Sequence, residues 1–192
     1  MTLLAAKGMT NAVIAQDLFV TLKTVESHLG RVFAELTAAL EARRDVIAAE
    51  GNATPGAREA LEVLGRRDDL TQSLLTGNLE VNAALKLSAF GLADLVDLEI
   101  GGYGSDPHVT RSDLVTAARE KAARLRGLHV GASETVLVGD TPLDVEAAHA
   151  AGARAVAVAT GPYSVDELRE SDADAVLVDL QDPDAVLAAI RG

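Results

Sequence analysis

From about residue 54 to the end of the chain, short apolar segments alternate with helical segments, and this alternation constrains the fold more than any other feature. Strands that alternate with helices form parallel sheets covered by helices on both faces. The sequence therefore predicts an α/β fold with a Rossmann-like parallel sheet, preceded by a small helical segment. The apolar segments are SLLTGN, LVDLEIGGYG, TVLVGDT, RAVAVATG and AVLVDL, and the helical segments include TPGAREALEVLG and RSDLVTAAREKAARL.

The composition fits this fold and limits the chemistry. Of the 192 residues, 48% are hydrophobic but only 3% are aromatic, so the core must be built from Ala, Val, Leu and Ile. The absence of Cys excludes disulfides and leaves carboxylates, carbonyls and His as metal ligands. No apolar run approaches the roughly 20 residues of a membrane helix and no signal peptide opens the chain, so we expect a soluble cytoplasmic protein.

The charge is unevenly distributed along the chain. Residues 1–45 contain five basic and five acidic residues, so residues 46–192 carry the whole net charge of −12. An acidic body repels nucleic acid, because binding depends on neutralising phosphates. DNA is therefore expected to bind weakly or not at all, unless the N-terminal segment presents a local basic face.

The strongest single motif lies in the segment VLVGDTPLDVEAAHAAG. Its apolar strand delivers Asp140 to the carboxyl end of the sheet, where open α/β sheets bind ligands, and Asp144 follows in the first turn of the next helix. Two converging carboxylates suit Mg²⁺, which is usually held by one or two carboxylates and a phosphate. An equally good interpretation is that Asp144 does no more than stabilise the helix N-terminus and that Asp140 is an ordinary turn residue. The motif alone leaves both interpretations open.

Two further segments offer groups that can bind phosphate. The strand in SLLTGN ends at Thr76, Gly77 and Asn78, where a hydroxyl and backbone N–H groups can approach an anion closely. Arg111 opens a helix and can clamp a phosphoryl oxygen. Taken singly, the first segment is more typical of an ordinary turn and the second of a surface arginine. Lys121 is the competing cation, but its position in the middle of a helix predicts a surface residue.

Residues 12–29, with the sequence AVIAQDLFVTLKTVESHL, fit two incompatible structures. As a strand and a loop, they would place Asp17 at the end of a strand like an attacking carboxylate. As two helices joined by a turn at Phe19 and Val20, they would form a helix-turn-helix with Thr21 as the second N-cap. The helical period extends over the apolar residues Leu22, Val25, Leu29, Val32, Phe33 and Leu36. This long period outweighs a four-residue apolar run, so we predict the helical structure.

In their order and spacing, the motifs of residues 54–192 resemble those of the haloacid dehalogenase-like (HAD) hydrolases. The resemblance implies that Thr76 and Arg111 bind phosphate and that Asp140 and Asp144 hold Mg²⁺. It also implies phosphoryl transfer through an aspartyl-phosphate. Thr76, Arg111 and Asp140 would then be catalytic.

The family's first motif, a strand that ends in DxDGT, has no clear counterpart. The segment DLFVTL comes nearest, with Asp17 as nucleophile only if the strand interpretation holds. Phe19 would replace the acid/base Asp, and losing general acid catalysis typically costs about 10² to 10⁴ in rate. The 59 residues from Asp17 to Thr76 are also too few for a full helical cap domain.

Residues 8–36 resemble the helix-turn-helix of LuxR-type regulators, although the module is truncated at its first helix. The resemblance predicts a DNA-contacting face on the second helix, opposite its apolar side. The alternative is an amphipathic hairpin that packs on the body. The candidate DNA-binding residues are Lys23, Thr24, Ser27, His28 and Arg31.

The chain therefore divides into a LuxR-like segment at 1–36, a helical linker or cap remnant at 37–53 and a HAD-like domain at 54–192. The predicted function is that of a Mg²⁺-dependent phosphomonoester hydrolase scaffold for a small phosphorylated metabolite, with an absent or degraded nucleophile motif. The alternatives are a DNA-binding regulator with a non-catalytic HAD-like body and an inactive fragment. Self-association is expected if the missing first strand leaves unpaired sheet edges.

Overall fold

The computed structural model describes residues 11–106 and 110–192. The remaining residues 1–10 of the predicted LuxR-like segment and residues 107–109 of the loop before Arg111 lie outside these ranges. Within them, no helix combines the length and apolar character that a membrane span needs. The first three helices are α1 at Asn11–Asp17, α2 at Leu22–Ala42 and α3 at Arg44–Glu50.

The helical interpretation of residues 12–29 is confirmed, and the strand interpretation is wrong. Asp17 ends α1 instead of a strand. The Thr21 side chain caps α2 by accepting a hydrogen bond from Thr24 N at 3.1 Å, as Thr commonly does at this position. Phe19 occupies the turn with a φ of 53° and a 96% exposed side chain. A degraded nucleophile loop at the sheet is therefore excluded.

A small core holds α1 against α2. Its buried members are Ile14, Ala15, Val25 and Leu29, and Val20 and Phe33 pack against them. Leu22 and Leu36, which the helical period placed on the same buried face, are 46% and 50% exposed. The seven residues of α1 cover only the middle of that face, so the periodicity was correct but the partner helix is too short. The helix α2 ends at Ala42 and so continues past the boundary predicted at residue 36. The division of the chain into three parts stays a prediction.

The α/β fold is confirmed, with its parallel strands arranged in two separate sheets among the described residues. One sheet pairs β1 with β2, and the other has the order β3-β4-β5. The strands are β1 at Leu75–Thr76, β2 at Gly102–Tyr103, β3 at Val136–Gly139, β4 at Arg154–Val158 and β5 at Ala175–Leu177. The helices between and around them are α4 at Ala57–Gly65, α5 at Glu80–Ala89, α6 at Arg111–Arg126, α7 at Pro142–Ala150, α8 at Val165–Glu170 and α9 at Pro183–Arg191.

The two sheets border one hydrophobic core. Leu75 of β1 and Leu137 of β3 both pack against it. The core therefore joins the halves of the body although their strands do not pair. Its buried members are Val115, Val145, Ala148, Ala153, Ala155, Ala157 and Leu168.

The strand β3 is an open edge of its sheet. It pairs with β4 on one side, and no described strand pairs with the other side. Val138 of β3 is 42% exposed, whereas Val156 of β4 is 1% exposed. Apolar parallel strands are normally covered on both faces, and an exposed edge offers unpaired N–H and C=O groups to another chain. Residues 12–17 do not fill this position, because they are helical.

We propose that copies of the chain associate through the edge of β3, which contains neither a charged residue nor proline. The expected result is a mass that rises above the monomer value with concentration in light scattering. Val138→Lys should shift the population toward monomer, because a charge on an edge strand opposes pairing between chains. Val81→Lys is the matched control, because Val81 lies on α5 and is 47% exposed. This variant should leave the mass distribution unchanged. A monodisperse wild-type monomer at all concentrations would contradict this proposal.

Candidate functional site

The GD motif forms a tight turn from β3 into α7. The strand ends at Gly139, Asp140 follows, and Thr141 is the N-cap of α7. Thr141 and Asp144 form a reciprocal capping box: Thr141 N and Oγ1 donate to Asp144 Oδ2 at 3.1 and 2.7 Å, and Asp144 N donates to Thr141 Oγ1 at 3.3 Å. This pairing satisfies backbone N–H groups at the start of the helix. One oxygen of Asp144 thus serves the helix N-terminus, as the simpler interpretation of the motif predicted.

The glycine of the motif is required by this close packing. A Cβ atom on Gly139 would lie 2.5 Å from Asp144 Cγ and nearer still to Asp144 Cβ. Carbon atoms pack at about 3.5 to 4.0 Å, so no side chain fits at residue 139 unless α7 moves. The missing side chain of Gly139 therefore allows Asp144, and with it the start of α7, to pack against the end of β3.

Arg111 is brought to the same place from a distant part of the sequence. It is the first residue of α6, and its Nη2 donates to Asp144 Oδ1 at 2.6 Å. The Asp144 side chain is 9% exposed, whereas that of Arg111 is 45% exposed. The Arg111 side chain is therefore partly open to solvent. Both oxygens of Asp144 are engaged, one by Thr141 and one by Arg111.

Asp140 differs from Asp144 in its surroundings. Its side chain is half-buried and makes no hydrogen bond or ion pair with the described part of the chain. The carboxylate instead lies against Gly161, in the loop that follows β4. It is the carboxylate of the motif that can take an external cation without breaking a contact.

The proposed phosphate loop after β1 is well ordered by its own contacts. Thr76 Oγ1 accepts hydrogen bonds from Asn78 N at 3.1 Å and from Asn78 Nδ2 at 2.9 Å. Asn78 O accepts from Gly104 N at 2.9 Å, which ties this loop to the one after β2. Gly77 is exposed, and a Cβ atom there would meet nothing within 4 Å. The space in front of Gly77 is open to a ligand.

The predicted site residues therefore fall into two groups. Arg111 and Asp144 are in contact, with Asp140 next to their capping turn. Thr76 lies at the end of the other sheet, and α6, which begins at Arg111, packs against β1. Sequence reasoning missed Thr141, whose signal was the T-x-x-D pattern of a capping box. It also missed Gly161, for which only the position at the end of the next strand gave a hint.

Lys121 is not the surface residue that its position in the helix predicted. Its side chain is 16% exposed, and Nζ donates to Gly101 O and to Asp106 Oδ2, both at 2.7 Å. The ammonium group also lies 4.9 Å from the ring centre of Tyr103. The Lys121 side chain thus fastens α6 to the strand β2 and is not available as the phosphate-binding cation.

The phenol of Tyr103, which lies next to the Lys121 ammonium group, has a raised pKa. Its side chain is fully buried, and its hydroxyl donates to Leu98 O at 2.7 Å. Burial first, and then the negative charges of Glu80, Asp106 and Asp97, raise the pKa of Tyr103 to about 12. The phenol therefore stays protonated at neutral pH and acts as a structural donor.

The residues present fit a weak Mg²⁺ site. Mg²⁺ takes oxygen ligands, keeps several waters and is usually bound through one or two carboxylates and a substrate phosphate. Asp140 meets this requirement, whereas Asp144 would first have to release Thr141 or Arg111. Across residues 11–106 and 110–192, no group of three or more acidic or His side chains converges as a metal site. The donor set therefore suits an ion completed by water and phosphate.

The candidate DNA-binding face of α2 is largely open. Lys23, Thr24, Ser27 and Arg31 are exposed, and His28 is half-buried. The other end of α2 packs on α5, where Thr37 Oγ1 donates to Asn82 Oδ1 at 2.8 Å. The helix therefore connects the exposed face to the body.

Two family models match the chain in the two predicted regions. Residues 112–183 match the model described as HAD-hydrolase-like. Over these residues the body resembles HAD-like proteins. Residues 1–43 match the model of bacterial regulatory proteins of the luxR family. No curated protein matches the chain significantly.

Solved structures similar to this chain share the fold of the HAD-like body. A predicted phosphatase from Clostridium acetobutylicum is 19% identical, with a TM-score of 0.60, over 93% of this chain and 76% of the other. A hydrolase from Pseudomonas syringae is 24% identical, with a TM-score of 0.63, over 94% and 78% of the two chains. A predicted phosphoglycolate phosphatase from Haemophilus somnus 129pt is 18% identical, with a TM-score of 0.56, over 90% and 72%. At these identities the comparisons establish the fold.

Proposed function

We propose that this chain is a HAD-like, Mg²⁺-dependent phosphomonoester hydrolase scaffold that binds a small phosphorylated metabolite and turns it over only at a background rate. The observation that carries the proposal is the 2.6 Å contact between Arg111 and Asp144 in a HAD-like fold. This contact supports a phosphate site, because the partly exposed Arg111 side chain meets Asp144, which lies four residues after the half-buried Asp140. A partly exposed cation near a carboxylate that could hold Mg²⁺ favours phosphate as the ligand.

The chain's own residues account for binding better than for bond cleavage. The solvent-facing part of Arg111 would clamp phosphoryl oxygens, and the backbone of Gly77 with the Thr76 hydroxyl would bind the same group from the other sheet. Asp140 would hold Mg²⁺, which when bound neutralises phosphoryl charge and orients the ester. The residue proposed as nucleophile is absent from the site, because Asp17 ends α1.

Binding of inorganic phosphate tests this proposal. We expect titration calorimetry to detect binding by the wild type in the presence of Mg²⁺. Arg111→Ala should weaken it about 10- to 100-fold, because a hydrogen bond to a charged group contributes about 1.5 to 3 kcal/mol. Arg169→Ala is the matched control, because Arg169 forms a surface pair with Asp166 and its side chain is 65% exposed. Equal phosphate affinities of the wild type and Arg111→Ala would remove the proposed site.

A second candidate function, a DNA-binding regulator with a non-catalytic body, is favoured by a separate observation. The N-terminal match to luxR-family regulators covers residues 1–43, and the predicted face on α2 is exposed. In this function, the HAD-like body would sense a phosphorylated metabolite. The contact between Thr37 and Asn82 would connect the two parts.

We expect DNA binding by this chain to be weak and strongly dependent on salt. Groove binding draws much of its affinity from phosphate neutralisation, and only Lys23 and Arg31 supply positive charge on the proposed face. At physiological salt, fluorescence anisotropy should give a Kd of roughly 10⁻⁴ to 10⁻⁶ M, the range of non-specific binding. Submicromolar affinity for one duplex sequence that is lost in Lys23→Ala, but kept in the control Lys86→Ala on α5, would favour the regulator instead.

A further inference from the structure

Gly161 lies directly against the Asp140 carboxylate. It follows β4, and the pairing of Gly139 with Ala157 brings the ends of β3 and β4 side by side. A Cβ atom on Gly161 would lie 2.9 Å from Asp140 Cγ and nearer still to Oδ2. Ordinary carbon contacts begin at about 3.5 Å. A side chain at residue 161 and the observed position of the carboxylate therefore exclude each other.

The backbone at residue 161 does not itself require glycine. Glycines such as Gly152, with a φ of 69°, occupy the left-handed region that other residues avoid. Gly161 lies outside that region, so an alanine there would meet no backbone penalty. Residue 161 is also exposed, and the three atoms nearest to its missing Cβ all belong to Asp140.

This contact sets the direction of Asp140. Among the described residues, no hydrogen bond or ion pair fixes the Asp140 side chain. Its Cβ and Cγ lie 3.1 and 2.9 Å from the position of the missing Cβ of Gly161, so the side chain lies against residue 161. Asp144, by contrast, is held by Arg111 and Thr141. Packing against Gly161 takes the place of hydrogen bonds at Asp140.

We propose that Gly161 is a positioning residue that fixes how Asp140 presents its oxygens to a divalent cation. This inference rests on the proposed function, in which Asp140 holds the metal. It predicts that a methyl group at residue 161 turns the carboxylate away, because the far end of the Asp side chain can rotate more easily than the backbone after β4 can move. The variant should therefore change cation binding with little change in stability.

The test measures Mn²⁺ binding directly, through the electron paramagnetic resonance signal of the free ion. It compares the wild type, Gly161→Ala, Asp140→Asn and the double variant. Gly161→Ala should weaken Mn²⁺ binding about 10-fold, as changes to residues that orient metal ligands typically do. Its Tm should stay within about 2 °C of the wild type. Asp140→Asn should abolish the site, and the double variant should be no weaker than Asp140→Asn. Gly30→Ala is the matched control, because a Cβ atom there would meet nothing within 4 Å.

The possible failures are distinguishable. If Asp140→Asn abolishes binding but Gly161→Ala binds like the wild type, the positioning role is wrong and the proposed metal site stands. If the wild type shows no Mn²⁺ binding that depends on Asp140, both the metal site and the positioning role are wrong. Should Gly161→Ala lose stability, combining it with Asp140→Ala should restore the Tm, because the clash is with that side chain. A Tm loss that does not depend on residue 140 would overturn the inference.

Discussion

Asp144→Ala is expected to lower the free energy of unfolding by about 2 to 4 kcal/mol, since a cap contributes about 1 kcal/mol and a hydrogen bond to a charged group about 1.5 to 3 kcal/mol. Asp144 is 7% exposed and accepts from Thr141 N, Thr141 Oγ1 and Arg111 Nη2. Its removal would leave the first turn of α7 uncapped and would remove the ion pair between α6 and α7. This loss is structural and does not require any bound ligand.

Urea denaturation of matched variants separates the two contributions to this effect. Asp144→Asn keeps an acceptor and the shape of the side chain but loses the negative charge beside Arg111, so its loss should be intermediate. Asp166→Ala removes a surface partner of Arg169 whose side chain is 88% exposed. Its effect should stay within about 1 kcal/mol, as for other exposed ion pairs. An Asp144→Ala variant as stable as the wild type would show that the capping box and the contact with Arg111 contribute nothing.

The local part of this site could be predicted from the sequence, and the contact that completes it could not. The strand before Asp140 and the cap at Thr141 follow from residues that are adjacent in the chain. The contact between Arg111 and Asp144 joins residues 33 positions apart. Periodicity carries no information on such a pair, and the family resemblance assigned Arg111 to phosphate and Asp144 to Mg²⁺ without predicting their contact. For Gly161 the sequence offered only its position after a strand, because its contact with Asp140 depends on the pairing of β3 with β4.

The difference between local signals and distant contacts also explains which predictions were wrong elsewhere in the chain. The helical period of α2 was sufficient to predict a helix, but the exposure of Leu36 depends on how long α1 is. The mid-helix position of Lys121 predicted solvent exposure, but Asp106 and Tyr103 reach it from another element. The strands were predicted from their apolar runs, whereas their division into two sheets depends on pairing between distant segments.

Catalysis is where we expect the largest departure from an ordinary phosphatase. A well-positioned nucleophile can contribute about 7 to 11 kcal/mol of the barrier reduction, and Asp17, the candidate that the sequence offered, ends an N-terminal helix. Of the two carboxylates at the GD motif, Asp144 is engaged by Arg111 and Thr141, and Asp140 is the proposed metal ligand. Thr76 and Arg111, the proposed phosphate-binding residues, have no carboxylate and therefore cannot form an aspartyl-phosphate. Turnover should therefore be near background.

Hydrolysis of p-nitrophenyl phosphate with Mg²⁺ checks this directly, because its leaving group needs little protonation and a missing acid costs little. The wild type should turn over well below about 1 s⁻¹, the low end for ordinary enzymes. Asp17→Asn and Phe19→Asp should match it, because Asp17 ends α1 and Phe19 lies in the turn before α2 with a φ of 53°. Phe19→Asn is the matched control, since Asn also tolerates the left-handed conformation but transfers no proton. A higher turnover rate in Phe19→Asp but not in Phe19→Asn would contradict this expectation, and so would a higher rate that disappears when Asp17→Asn is added. Either result would mean that the N-terminal hairpin opens and supplies the missing strand during turnover.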